Sequence, residues 1–139
     1  MSKTKMFRDQ HDDLLKAAAK LKAELNADKI GKDPAPAKSA LAQLLGKLSV
    51  HLAMEDKSLY PALVKHPDQR VKSTADRFIG EMGAVAKVLA DYQKTWAGEA
   101  ALKQNPRGFV QQTGNILDAL GKRIDKENGE LYKLVDSLG

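Results

Sequence analysis

Four apolar stripes, each spaced in threes and fours and separated by three breaks, constrain this chain more than any other feature. The first stripe is Phe7, Leu14, Ala18, Leu21, Leu25, and the second is Leu41, Leu44, Leu45, Leu48, Leu52, Leu59, Leu63. The third is Ala75, Phe78, Ile79, Val85, Leu89, Tyr92, Trp96, and the fourth is Ile116, Leu117, Leu120, Ile124, Leu131, Leu134, Leu138. That spacing gathers apolar side chains on one face of a helix, and no stretch shows the two-residue alternation of a half-buried strand. The breaks at 31–36, 66–68 and 103–108 join glycine or proline to residues that cap helices. Asp33-Pro34 and Asn105-Pro106 each have the form of an N-cap followed by proline at the first helical position. Short connections between long amphipathic helices favour antiparallel neighbours. The expected fold is therefore all-α, an up-down-up-down antiparallel four-helix bundle forming a single domain over residues 1–139. Pro61 is expected to kink the second helix near its end.

Composition narrows the chemistry. With no cysteine there is no disulfide, thiolate zinc site or thiol nucleophile, so any metal must be held by nitrogen, oxygen or a thioether. A net charge of +5 suggests a nucleic-acid or lipid partner, but the lysines alternate with acids at helical spacing rather than forming a block. The expectation is a solvated mixed-charge surface, with no nucleic-acid partner and no membrane. The charged N-terminus has no signal-length apolar run, which reads as a cytoplasmic protein.

Polar residues stand where the seam calls for leucine. The second helix continues Leu41, Leu44, Leu48, then His51, Glu55, Leu59, Ala62, placing an imidazole and a carboxylate one turn apart on the core face. His11 falls between Phe7 and Leu14, and Glu127 between Leu120 and Leu131 with Arg123 one turn before it. Glu81 and Met82 flank the seam of the third helix. Counted inward from one bundle end, these residues lie within about 10 Å of one level at roughly 1.5 Å per residue. Buried carboxylates need a positive partner, which here is either a metal or Arg123.

The chain also repeats. At a constant offset of 72, His51 lies over Arg123, Leu52 over Ile124, Glu55 over Glu127, Leu59 over Leu131 and Tyr60 over Tyr132. At an offset of 71, His11 lies over Met82, Leu14 over Val85, Leu21 over Tyr92 and Leu25 over Trp96. The bundle thus reads as two related hairpins, with Met82 and Arg123 in one answering His11 and His51 in the other.

From Gln10-His11-Asp12 through His51-x3-Glu55-Asp56-x3-Leu59-Tyr60-Pro61 to Glu127-x3-Leu131-Tyr132, the sequence resembles the hemerythrin-like, or HHE cation-binding, family. The resemblance implies a four-helix bundle that holds two non-heme irons between histidines and carboxylates of all four helices. It also implies roles in oxygen binding, oxygen or redox sensing, nitrosative stress or iron handling. By resemblance His11, His51, Glu55 and Glu127 occupy ligand positions, while Met82 and Arg123 stand where the family offers histidine. Arginine cannot ligate a cation and repels a second one, and a thioether suits iron poorly.

The expected protein is a bacterial-type hemerythrin-like domain with an incomplete site. It binds one non-heme iron or other divalent metal ion, iron or manganese with zinc as a further option, through His11, His51, Glu55, Glu127 and Glu81. It acts by binding rather than turnover. The alternative is a metal-free structural or interaction module in which Arg123 neutralises the core carboxylates, and a third reading is an oxidase using a tyrosine. Tyr60 and Tyr132 are read as amphipathic packers rather than donors to the carboxylates, Phe78, Tyr92 and Trp96 as core, and His66 and Asp56 as solvated.

Overall fold

The structure is a computed structural model and describes residues 4–138. Those residues are almost entirely helical, and no strand occurs among them. Eight α-helices follow in order: α1 (Lys5–Ala23), α2 (Ala27–Lys32), α3 (Ala35–Met54), α4 (Tyr60–Val64), α5 (Gln69–Thr95), α6 (Glu99–Gln104), α7 (Pro106–Lys126) and α8 (Tyr132–Ser137). A π turn over Glu55–Leu59 joins α3 to α4, and a second over Glu127–Leu131 joins α7 to α8, so 35–64 and 106–137 are each continuous helix. None of the described helices is long and apolar enough to cross a membrane.

The stops and starts follow local chemistry. Asn26 caps α2 by accepting from the Lys29 backbone N–H, Asp68 caps α5 through the Arg70 N–H, and Asn105 caps α7 through the Gly108 N–H. Pro106 sits in the first turn of α7, where its missing N–H costs nothing. Asp33 Oδ1 accepts from the Ala35 N–H, so α3 begins one residue later than the Asp33-Pro34 pattern predicts. The connections contain the short helices α2 and α6, each burying one anchor, Ile30 and Leu102, in the core. Six-residue helices carry too few apolar positions for a periodic stripe to reveal them.

The core has two apolar clusters. One contains Leu14, Leu21, Leu41, Leu44, Leu48, Tyr92, Trp96, Phe109 and Ile124. The other contains Phe7, Leu59, Tyr60, Leu63, Val71, Phe78, Leu131, Tyr132 and Val135. Along α1, α3, α7 and the two π turns, the buried polar residues His11, His51, Glu55 and Glu127 fall between members of these two clusters. At the chain ends, the Thr4 hydroxyl donates to Asp136 Oδ2 at 2.9 Å, tying the start of α1 to α8.

The sequence predicts a kink at Pro61, and just before it the helix widens into the π turn, with Pro61 in the first turn of α4. Proline is not required for the widening, because the matching turn at Glu127–Leu131 forms with Lys133 in the equivalent place. The extra residue in each turn rotates the seam. Beyond Leu59 the buried positions are Tyr60 and Leu63 while Ala62 is exposed, and beyond Leu131 they are Tyr132 and Val135.

Candidate metal centre

His11 on α1, His51 at the end of α3, and Glu55 and Glu127 at the heads of the two π turns are each at most 3% exposed. His11 Nε2 lies 3.0 Å from His51 Nε2 and 3.1 Å from Glu127 Oε1. Glu55 Oε1 lies 2.9 Å from His51 Nε2. The π turns bring the tyrosines in. A five-residue backbone bond, Tyr60 N–H to Glu55 C=O, puts each tyrosine on the same face as its glutamate, and Tyr132 repeats this with Glu127. The two hydroxyls then cross over: Tyr60 donates to Glu127 Oε2 at 3.0 Å and Tyr132 donates to Glu55 Oε2 at 3.1 Å. Both rings pack in the core, as read from sequence, and both also hold carboxylates.

The outer nitrogens of the imidazoles are spoken for. His51 Nδ1 meets Gln10 Oε1 at 2.6 Å, and His11 Nδ1 meets Asn128 Oδ1 at 2.9 Å. An amide oxygen only accepts, so both Nδ1 atoms carry the hydrogen and both Nε2 lone pairs point inward at each other and at Glu127. Metal-binding histidines take this arrangement, with the outer N–H fixed by an oxygen. Two donors held at right angles about 2.1 Å from one ion stand about 3.0 Å apart, as the inner contacts here do. The donor set therefore suits a cation: His11, His51 and Glu127 offer ligand atoms all within 4.8 Å of one another, with Glu55 beside them.

Charge is divided unevenly between the carboxylates. Burial, then the hydrogen bond and charge of Glu127, push the Glu55 carboxyl well above the usual range, so that it keeps its proton. Burial acts in the same direction on Glu127, but the His11 ring against its Oε1, a hydrogen bond from Glu55 and the Arg123 charge outweigh it and hold Glu127 ionised. Burial and the neighbouring His11 depress His51 to about 4. Burial pushes Tyr60 and Tyr132 far up, so both remain donors.

Arg123 stands at the position that the repeat sets against His51. Its Nη2 donates to the Tyr60 hydroxyl at 3.0 Å and to the Phe78 carbonyl at 3.1 Å, lies 3.7 Å from Glu127 Oε2, and its guanidinium sits over the Phe78 ring at 4.7 Å. Met82 lines the cavity beside it and is half-buried. Glu81 does not join the cluster. Its side chain is 40% exposed and pairs with Lys126 at 2.7 Å and with Arg123 at 3.5 Å. The repeat explains why. Glu81 corresponds to Gln10, and as Gln10 braces His51 from outside, Glu81 braces Arg123. Gln10 and Asn128 were not singled out from sequence, although they directly flank His11 and Glu127.

An all-helical frame around buried inward-facing imidazoles and a carboxylate defines a helical domain with a site that could hold a cation. The chain belongs to the hemerythrin HHE cation-binding domain family, whose description matches residues 2–135. No curated protein and no solved structure matches the chain significantly.

Proposed function

We propose that the protein is a single-domain, cytoplasmic, up-down-up-down four-helix bundle that binds one metal ion through His11, His51 and Glu127, with Glu55 completing the set. Imidazole with carboxylate favours iron or manganese and also accommodates zinc. The role is binding for sensing, stress response or metal handling rather than turnover. The observation that carries this reading is the pair of Nε2 lone pairs 3.0 Å apart, each fixed inward by an oxygen on the opposite ring nitrogen. Without a cation that contact is repulsive unless one ring takes up a proton. A second ion is disfavoured because Arg123 places fixed positive charge 3.7 Å from Glu127. When bound, the ion supplies Lewis acidity and, if it is iron, one-electron chemistry. The chain's own residues orient the imidazoles, bury the four candidate ligand groups and keep a proton on Glu55, which would have to leave for that carboxylate to hold the ion.

The test is metal content. Protein purified with iron supplementation should carry about one ion per chain and gain thermal stability on metal addition, and His51→Ala and Glu55→Ala should lose both. Unchanged metal content and melting temperature in both variants would end the metal reading. The contact between Arg123 and Glu127 favours a second reading, a metal-free module in which the arginine is the counter-charge. It predicts no ion in the wild-type protein under any supplementation.

A further inference from the structure

The charges around the centre are built into the chain. Glu127 carries one negative charge and Glu55 can add one more, against one permanent positive charge on Arg123, whose Nη2 lies 3.7 Å from Glu127 Oε2. The next charges outward come as pairs, Lys126 with Glu81 at 2.7 Å and Arg8 with Asp136 at 3.4 Å. With both carboxylates ionised, the layer therefore carries a single net negative charge. The apolar cavity of about 200 Å³ that adjoins His11, His51 and Glu127 is walled chiefly by leucines and valines and adds no further anion. Tyr60 and Tyr132 donate to the outer carboxylate oxygens, at 3.0 Å and 3.1 Å, and draw negative charge away from the inner ones. The imidazoles add none. Each Nδ1–H is held by a neutral amide oxygen, Gln10 for His51 and Asn128 for His11, where a carboxylate would make the ring a stronger donor. Gln10 Nε2 in turn donates to Met54 Sδ at 3.0 Å, which keeps the amide oxygen turned toward the ring.

We infer that the centre is held to a divalent cation: Gln10 and Arg123, acting through His51 and Glu127, disfavour one-electron oxidation of the bound ion to the trivalent state. This inference rests on the metal reading above and adds the oxidation state to it. A divalent ion leaves the layer with one net positive charge, and a trivalent ion leaves it with two. The side chains concerned are at most 9% exposed, and uncompensated buried charge is costly. In such surroundings a unit charge a few ångströms away shifts a one-electron equilibrium by at least about tenfold. Gln10 and Arg123 are positioning residues in this scheme. The first keeps the His51 ring neutral and the second offsets the charge of Glu127, so the chain holds a ferrous or manganous ion without making it an oxidising centre.

The probe is iron(II), loaded without oxygen into the full chain, with metal content measured first. Mediated potentiometric titration, read by the paramagnetic resonance signal of iron(III), gives the midpoint potential, the electron passing from iron to the electrode. Gln10→Glu, which gives the His51 ring a carboxylate partner, should lower the midpoint by at least about 59 mV, tenfold toward iron(III). Arg123→Gln, which removes the permanent charge, should lower it by at least as much, whereas Arg123→Lys, which keeps the charge, should stay within about 59 mV of wild type. Gln10 is half-buried at the surface of α1, so Gln10→Glu decides the matter even where Arg123→Gln does not fold. One bound ion whose midpoint is unmoved or raised in either folded variant would overturn the inference and leave the metal reading standing. A shift in Arg123→Lys as large as in Arg123→Gln would assign the effect to shape rather than charge and overturn it as well. No ion in the wild-type protein would overturn the metal reading and this inference with it.

Discussion

On one side of the centre, the Phe7 ring meets His51 edge-on with centroids 6.1 Å apart, and Gln10 holds the outer nitrogen of that histidine. On the other, Phe78 lies under Arg123 at 4.7 Å, and Glu81 pairs with the guanidinium from outside. Phe7 matches Phe78 and Gln10 matches Glu81 at the same offset of 71 that sets His11 over Met82. The two π turns match at an offset of 72, and the two tyrosines exchange hydrogen bonds across the middle. The backbone plan is shared while the filling differs. A histidine braced by a neutral amide leaves its inner nitrogen open to a cation, whereas an arginine braced by a carboxylate is an ion pair already made. On the proposed reading, Met82 and Arg123 stand on that shared frame where the other half has His11 and His51, and the arginine is a built-in counter-charge.

The largest expected effect comes from undoing that conversion. Met82→His with Arg123→His should raise the metal content from one ion per chain to two, and a second ion at a thousandfold excess over its Kd adds about 4 kcal/mol. Elemental analysis and thermal unfolding check this, and a stoichiometry fixed at one would mean that the halves differ in backbone as well as in side chain. Next, Arg123→Ala should destabilise the metal-free protein by about 3 kcal/mol or more in urea unfolding, since it leaves Glu127 ionised and unpaired. A near-neutral result would remove Arg123 from the cluster's charge balance.

Glu55→Gln sharpens the comparison between the two carboxylates. Burial beside Glu127 raises the folded-state pKa of Glu55, so its contribution is fully present below the unfolded carboxylate range and is lost as pH rises above it. Glutamine mimics the protonated acid, so the variant should be more stable than wild type at pH 7 by about 1–3 kcal/mol without metal, and should bind metal more weakly. Glu127 and His51 have the opposite sign. Their folded pKa values are lowered, so their contributions are present at neutral pH, that of His51 being lost as pH falls from 6.5 to about 4. Urea midpoints between pH 4 and 9 should therefore show an acid limb shared by both proteins and an alkaline decline in wild type alone.

The smallest effects belong to the tyrosines. Tyr60→Phe and Tyr132→Phe each remove one hydroxyl-to-carboxylate bond and should cost about 1 kcal/mol in urea unfolding, together with a second contact in each case, to Arg123 for Tyr60 and to His11 Nε2 for Tyr132. No loss in either variant would mean that the hydroxyls do not hold the carboxylates.

The seam through Leu48, His51 and Glu55 was legible because a polar residue at a leucine position is visible to helical periodicity alone. The echo of Glu55 and Tyr60 in Glu127 and Tyr132 was legible as a fixed offset. The π turns were not, because one extra residue in a turn leaves no mark on composition. Extending an ideal helix past them turns Ala62 inward and leaves the tyrosines as packers, whereas the widened turn buries Leu63 and aims both hydroxyls at carboxylates. Glu81 looked like a ligand because depth along a helix was counted without its direction around it. Gln10 and Asn128 escaped notice because a residue that braces a ligand from outside carries no periodic signature.

The most direct measurement is anomalous scattering from crystals grown with manganese or iron. The account predicts a single peak per chain, about 2.1 Å from His11 Nε2, His51 Nε2 and a Glu127 oxygen. A peak beside Met82 and Arg123, or none at saturating metal, would contradict it.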